Sequence, residues 1–198
     1  MIAIIDFGAG NLRSIQRALE ANGAEVIITD DPEVVRRADR VVLPGDGNAK
    51  SAMAYLHEKH LSDAALAVAN EGKPFLGVCV GMQLLFGAQE EGPTQGLGLL
   101  DGTVRLLPQG VKVPQMGWNI VEFRPGTPLA HLGRSYFYFV HSYAPEADDD
   151  VDVVGETDYG VRFPSVVIRD NIWGTQFHPE KSGKDGLALL RSWLDWQP

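Results

Sequence analysis

Four short apolar runs, residues 2–6, 25–29, 40–43 and 75–79, alternate with stretches of helical period through the first half of this 198-residue chain. Runs so brief and so continuously apolar predict strands buried on both faces. Between them, Leu12, Ile15, Ala18 and Leu19 recur at helical spacing as far as Gly23, a C-terminal stop. Asp31 and Pro32 provide an acidic cap and a first-turn proline for a second helix, and residues 49–70 read as continuous helix. Strand and helix in alternation imply parallel strands joined by right-handed crossovers. The second half changes period. Residues 103–107, 118–123, 136–141, 151–156, 164–169 and 172–176 read as strands separated by turns, and residues 183–196 close the chain as a helix. The predicted class is α/β: a parallel sheet flanked by helices, extended by antiparallel strands in the second half, in one domain spanning residues 1–198.

In an open parallel sheet the ligand site lies beyond the carboxyl ends of the strands. Two sequence features fall there: the loop Pro44-Gly45-Asp46-Gly47-Asn48, and the single cysteine, in Gly77-Val78-Cys79-Val80-Gly81. Residues 82–86 lead away as the start of a predicted helix. Flanking glycines suit a sharp strand-to-helix turn carrying a nucleophile, and a helix N-terminus favours a thiolate. A thiol nucleophile needs a base with an orienting partner. His57 and His60 lie in a polar helical stretch, His131 in a turn-rich segment, and His141 ends an aromatic strand. His178 stands two residues before Glu180. Extended backbone at that position, favoured by Pro179, puts the imidazole and the carboxylate on one face. The order nucleophile, histidine, acid differs from that of α/β-hydrolases. An oxyanion hole would use the backbone N–H of Val80 and one from residues 44–47, with Asp46 the position of interest.

Other chemistries fit less well. The loop at residues 7–11 has a glycine pair, but Arg13 stands where a dinucleotide fingerprint needs a third glycine. No His/Cys/Asp cluster has metal-ligand spacing, and no cofactor is expected. A net charge of −9 argues against nucleic acid or an anionic membrane surface as partner. One cysteine cannot form an internal disulfide. The opening residues read as a first strand, not a signal peptide, and no apolar run approaches the ~20 residues of a membrane span. A cytoplasmic protein is expected.

Taken together, residues 77–83 and 175–182 resemble the nucleophile elbow and the His-Pro-Glu segment of the class I, triad-type glutamine amidotransferases. Residues 6–12, 112–119 and 138–143 further resemble the glutaminase subunits of imidazole glycerol phosphate synthases. The resemblance implies a flavodoxin-like domain that hydrolyses L-glutamine and passes ammonia to a (β/α)8-barrel cyclase subunit of histidine biosynthesis. Cys79 would be the nucleophile, His178 the proton shuttle and Glu180 its orienter. Gln83 would contact the substrate, and Glu91 would accept from its α-ammonium. Gly45, Gly47, His141, Ser142 and Tyr143 would line the substrate site, with backbone at 47, 142 and 143 on the carboxylate end. Asn11, Met116, Trp118, Tyr138 and Lys181 would face the partner. A solvated Gln83 or Glu91, and a core Trp118 or Tyr138, are the plain alternatives.

Two departures from the family stand out. Asp46 replaces a usual valine; its carboxylate is expected to point outward, leaving its backbone N–H for the oxyanion. Gln115 replaces a usual histidine, and no role is assigned to it. Competing readings are the glutaminase of pyridoxal phosphate synthase, which shares the triad but not residues 112–119; a non-catalytic regulator of the same fold, which would be expected to have lost the nucleophile or base; and a lone hydrolase of γ-glutamyl peptides.

Overall fold

In the computed structural model, which describes every residue except Ala9, Pro93, Asp149 and Pro198, the apolar runs of the first half become strands β1 (Ile2–Ile5), β2 (Val26–Thr29), β3 (Arg40–Leu43) and β4 (Phe75–Val78). They are joined by helices α1 (Leu12–Ala21), α2 (Pro32–Arg37), α3 (Ala49–Glu58) and α4 (Leu61–Asn70). The caps follow the sequence: Asn11, Asp31 and Asn48 each accept a first-turn backbone N–H. The stretch 49–70 is two helices rather than one. His60 takes a left-handed φ of 57° between them, and each helix buries its own stripe, Ala49, Ala52, Met53 and Leu56 in one and Leu61, Ala64, Ala65 and Val68 in the other. The helix expected over residues 82–86 is a single turn, α5 (Val80–Gln83). Leu84 and Leu85 are fully buried, and their carbonyls accept from Leu97, Leu99 and Leu100, which turns the chain into strand β5 (Phe86–Gln89).

The remaining strands are β6 (Thr94–Gln95), β7 (Leu100–Leu106), β8 (Gln115–Phe123), β9 (Arg134–His141), β10 (Tyr143–Ala147), β11 (Val153–Asp158), β12 (Arg162–Arg169) and β13 (Ile172–Thr175), with helix α6 (Gly183–Asp195) last. The main sheet has the order β2-β1-β3-β4-β13-β12-β11-β8-β9. Its first five strands are parallel and the rest antiparallel. A smaller sheet, β10-β7-β5-β6, accounts for the strands at 86–89, 94–95 and 143–147 that the sequence pattern did not announce. The strand expected at 151–156 begins later, after a 3-10 turn, Asp150–Asp152.

Right-handed crossovers place the helices. The order reverses at β1, so α1 packs on one face and α2, α3 and α4 on the other. Helix α6 packs against α1, and α2 and α3 against α4. The parallel strands sit between these layers with β1, most of β3, β4 and β13 buried end to end. Three neighbours in that order, β3, β4 and β13, run in register through Leu43↔Gly77 and Val78↔Thr175. Their carboxyl ends therefore deliver Asp46, Cys79 and His178 to the same edge of the sheet.

Candidate active site

The turn after β4 is dictated by its glycines. A Cβ on Gly77 would sit 2.7 Å from the Gly81 carbonyl oxygen, and one on Gly81 would overlap the Leu43 carbonyl oxygen. With the chain folded this closely, Cys79 adopts φ 54° and ψ −112°, a conformation that costs a non-glycine residue of order 1–3 kcal/mol. Its backbone N–H donates to the Thr175 carbonyl at 2.7 Å, tying the turn to β13. Cys79 is 2% exposed and lines a cavity of about 460 Å³. Val80 begins α5, so its N–H has no intrahelical acceptor and is available beside the sulfur.

The side opposite is assembled from several elements. The His178 N–H donates to the Tyr138 carbonyl at 2.9 Å, the Ser182 hydroxyl donates to the His178 carbonyl at 2.6 Å, and the Tyr138 N–H donates to the Ser182 oxygen at 3.0 Å. This ring of bonds clamps His178 to β9. His178 is extended, with φ −98° and ψ 98°, as the following proline favours. The chain then enters a 3-10 turn, Pro179–Lys181, so the shared face expected for a strand is replaced by a turn. The contact survives: His178 Nδ1 donates to Glu180 Oε1 at 2.8 Å, with both side chains almost fully buried. Burial works against charge on His178, but hydrogen bonding and charge from Cys79, then Glu180, outweigh it and raise its pKa to about 10. An imidazolium beside the sulfur is the partner a thiolate requires.

The other expected site residues meet this cavity unevenly. Asp46, Gly47, Val80, Gln83, Glu91, Tyr138, His141, Ser142, Tyr143 and Lys181 line it. Gly45 does not; it packs against Val80 and Gly81, where a Cβ would lie 2.5 Å from the Gly81 nitrogen. Gln83 is buried, and its amide group already donates to the Tyr143 carbonyl at 2.8 Å and to Gln176 Oε1 at 3.1 Å, so only its oxygen remains for a ligand. Glu91 Oε2 accepts from the Ala49 N–H at the start of α3, leaving its other oxygen. His141 is held on both nitrogens, Nδ1 2.8 Å from the Tyr143 carbonyl and Nε2 3.1 Å from the Gln115 side chain. Burial lowers its pKa to about 4, so the ring is neutral near pH 7. With Nδ1–H donating to Tyr143, Nε2 is an acceptor, and a half-turn of the Gln115 amide supplies the NH2 it needs and satisfies a buried nitrogen. Asp46 overturns its expectation: its carboxylate points inward, with Oδ1 3.6 Å from His178 Nε2.

Two contacts were not read from the sequence. Gln176, fully buried, directs its Nε2 at the Cys79 sulfur at 3.8 Å, and the Val140 carbonyl lies 3.6 Å from the sulfur. The i, i+2 spacing of Gln176 to His178 was the available signal for the first. On β8, paired with the β9 residues Val140 and Tyr138 that line the cavity, Met116 and Trp118 are 64% and 57% exposed, so Trp118 is not core; it packs edge-on against Tyr138, its cross-strand partner. Asn11 is exposed at the α1 N-terminus, while His57, His60 and His131 are exposed and away from the cavity. Among the described residues no group of three or more His, Cys, Asp or Glu has the arrangement of a metal site.

Known proteins resemble this chain in sequence over nearly its whole length, and others share its fold. The family model described as "Glutamine amidotransferase class-I" matches residues 3–195. The "Imidazole glycerol phosphate synthase subunit HisH" of Dechloromonas aromatica is 47% identical, covering 100% of this chain and 97% of that one. The protein of the same name from Methanothermobacter thermautotrophicus is 48% identical over 98% of both. Among solved structures, a glutamine amidotransferase superposes with a TM-score of 0.78 at 20% identity, covering 96% of each chain, and PurLQS from Thermotoga maritima with 0.76 at 22%, covering 98% and 97%. The strained cysteine turn, the buried His–Glu pair and a match that spans nearly the whole chain have one explanation: this chain belongs to the class I glutamine amidotransferases.

Proposed function

We propose that this chain hydrolyses L-glutamine to glutamate and ammonia, and hands the ammonia to a (β/α)8-barrel cyclase subunit with which it forms imidazole glycerol phosphate synthase in the cytoplasm. The observation that carries the reading is the constellation at the ends of β4 and β13: a strained Cys79 at a helix start, and a His178 raised to about 10 and held by Glu180 at 2.8 Å. In this reading the Cys79 thiolate attacks the side-chain amide carbon. Negative charge collects on the former carbonyl oxygen, where the Val80 N–H and the backbone at Asp46 donate to it. The tetrahedral species collapses, the C–N bond breaks, and the His178 imidazolium gives its proton to the leaving nitrogen. A γ-glutamyl thioester and ammonia result. Water, deprotonated by His178, then releases glutamate.

Glu91 offers its free oxygen to the substrate ammonium, and the backbone at Gly47, Ser142 and Tyr143 receives the carboxylate. His141 has no free nitrogen to offer, so its part is to shape the wall. Ammonia released into water near pH 7 would be protonated and lost as a nucleophile, so a partner has to cover the cavity mouth. The exposed Met116 and Trp118, the latter packed on Tyr138, suit such a cover, with Lys181 on the cavity wall and Asn11 at the start of α1 as further contacts. Co-purification with the barrel subunit and assay of glutamate formation test the proposal. Cys79→Ala is expected to abolish glutamine-dependent cyclisation while leaving cyclisation with added ammonium salt intact; loss of both would reject it.

A further inference from the structure

The loop after β3 places a carboxylate where the reaction has no use for one. Asp46 Oδ1 lies 3.6 Å from His178 Nε2, the ring atom that must exchange a proton with Cys79. Nδ1 is already held by Glu180, so buried Nε2, which has no nitrogen or oxygen partner within hydrogen-bond geometry, is left facing the Cys79 sulfur and the Asp46 carboxylate. His178 thus sits between two carboxylates of different standing. The Glu180 side chain is 4% exposed, whereas that of Asp46 is 37% exposed, on a loop at the cavity rim.

We propose that Asp46 is an inhibitory latch: its carboxylate competes with the Cys79 thiolate for the His178 imidazolium and swings outward for turnover. The inference rests on the glutaminase reading only for its substrate, because the competition exists whatever Cys79 attacks. The groups that face His178 are Glu180 from the turn after β13, Cys79 from the turn after β4, Asp46 from the loop after β3, and neutral His141 from β9; Lys181 and Glu91 lie on the walls of the same cavity. A second anion on the imidazolium holds the proton that the leaving nitrogen needs, and an effective general acid has a pKa near the working pH. The same inward carboxylate opposes both the thiolate and the negative charge that develops beside Val80. Latched and reacting states are therefore mutually unfavourable, and anything that draws Asp46 out of the cavity turns the site on. Asp46 acts here as a positioning residue, through His178.

The test is Asp46→Asn, which keeps the backbone N–H and the side-chain size but removes the charge. Cys79 is the single cysteine of the chain, so alkylation by iodoacetamide followed across pH reports its thiolate without ambiguity. The alkylation midpoint is expected to fall by about one pH unit, and kcat for glutamine to rise several-fold near pH 7 with KM little changed. Asp46→Glu, which keeps the charge, is expected to restore the midpoint of the unsubstituted protein. An unchanged midpoint in Asp46→Asn, with glutamine hydrolysed no faster, overturns the latch and leaves the glutaminase reading standing. A lowered midpoint in a protein that hydrolyses no glutamine supports the latch and rejects the substrate instead.

Discussion

The turn that carries Cys79 and the turn that carries His178 follow neighbouring strands of one sheet, yet they are held by different means. At Cys79 the constraint is steric and local: the backbones of Gly77, Gly81 and Leu43 approach so closely that no side chain fits between them. At His178 the constraint is polar and remote: Tyr138 on β9 and the Ser182 hydroxyl hold its backbone, and Glu180 holds its ring. A steric turn admits almost one geometry, because compressing backbone costs energy steeply. A polar clamp of several hydrogen bonds, each worth about 1 kcal/mol net, yields in stages. The nucleophile should thus fail abruptly and the base gradually.

Three perturbations can break that contrast. The largest effect is expected at Gly81→Ala, where the new Cβ would overlap the Leu43 carbonyl. A loss of more than about 3 kcal/mol in urea unfolding follows from such overpacking against backbone; a loss under about 0.5 kcal/mol would show that the turn relaxes, and the steric account would be wrong.

Next comes acid, which acts on the base side through His141. Its folded pKa of about 4 lies below the ordinary value of 6.5, so between these pH values the unfolded chain binds a proton that the folded chain excludes. Stability from this group is complete above about pH 6.5 and is lost as pH falls toward 4, by about 3 kcal/mol in all. Unfolding free energies between pH 7 and 4 check this against His141→Gln, in which that part of the slope should vanish. An equal slope in both proteins would mean that another group carries it.

The smallest effect is expected at Ser182→Ala, which removes one donor and one acceptor from the clamp. A cost of about 1–3 kcal/mol in stability follows. Turnover of glutamine should fall about ten-fold with KM nearly constant, since a loosened base misplaces a proton rather than the substrate. A fall in KM-dependent binding alone would place Ser182 in the substrate site instead.

Much of this was legible in the chain itself. The parallel half of the sheet follows from apolar runs and helix caps, because burial on both faces forces continuous apolarity and caps mark helix starts. Cys79 and the His178–Glu180 pair were identifiable from local spacing. The break at His60 and the one-turn helix after Cys79 were not, since propensity extends a helix where tertiary packing ends it. Gln83, Glu91 and His141 were expected at the substrate site, but the sequence did not show what else holds them. Each spends part of its hydrogen-bonding capacity on a residue distant in sequence. Gln115 carried no expectation and proves to be the partner of His141.

The sequence by itself determined which residues can react and the strand framework that carries them, because both depend on side-chain chemistry and on periodicities within a few residues. Tertiary structure alone decided how those residues are biased. Where a carboxylate points depends on strand order, on the loop after β3 lying beside the ends of β4 and β13, and on charges brought within a few ångströms across long stretches of chain. Asp46 shows the difference most plainly: read from the sequence it belonged outside the cavity, and in the fold it faces the base.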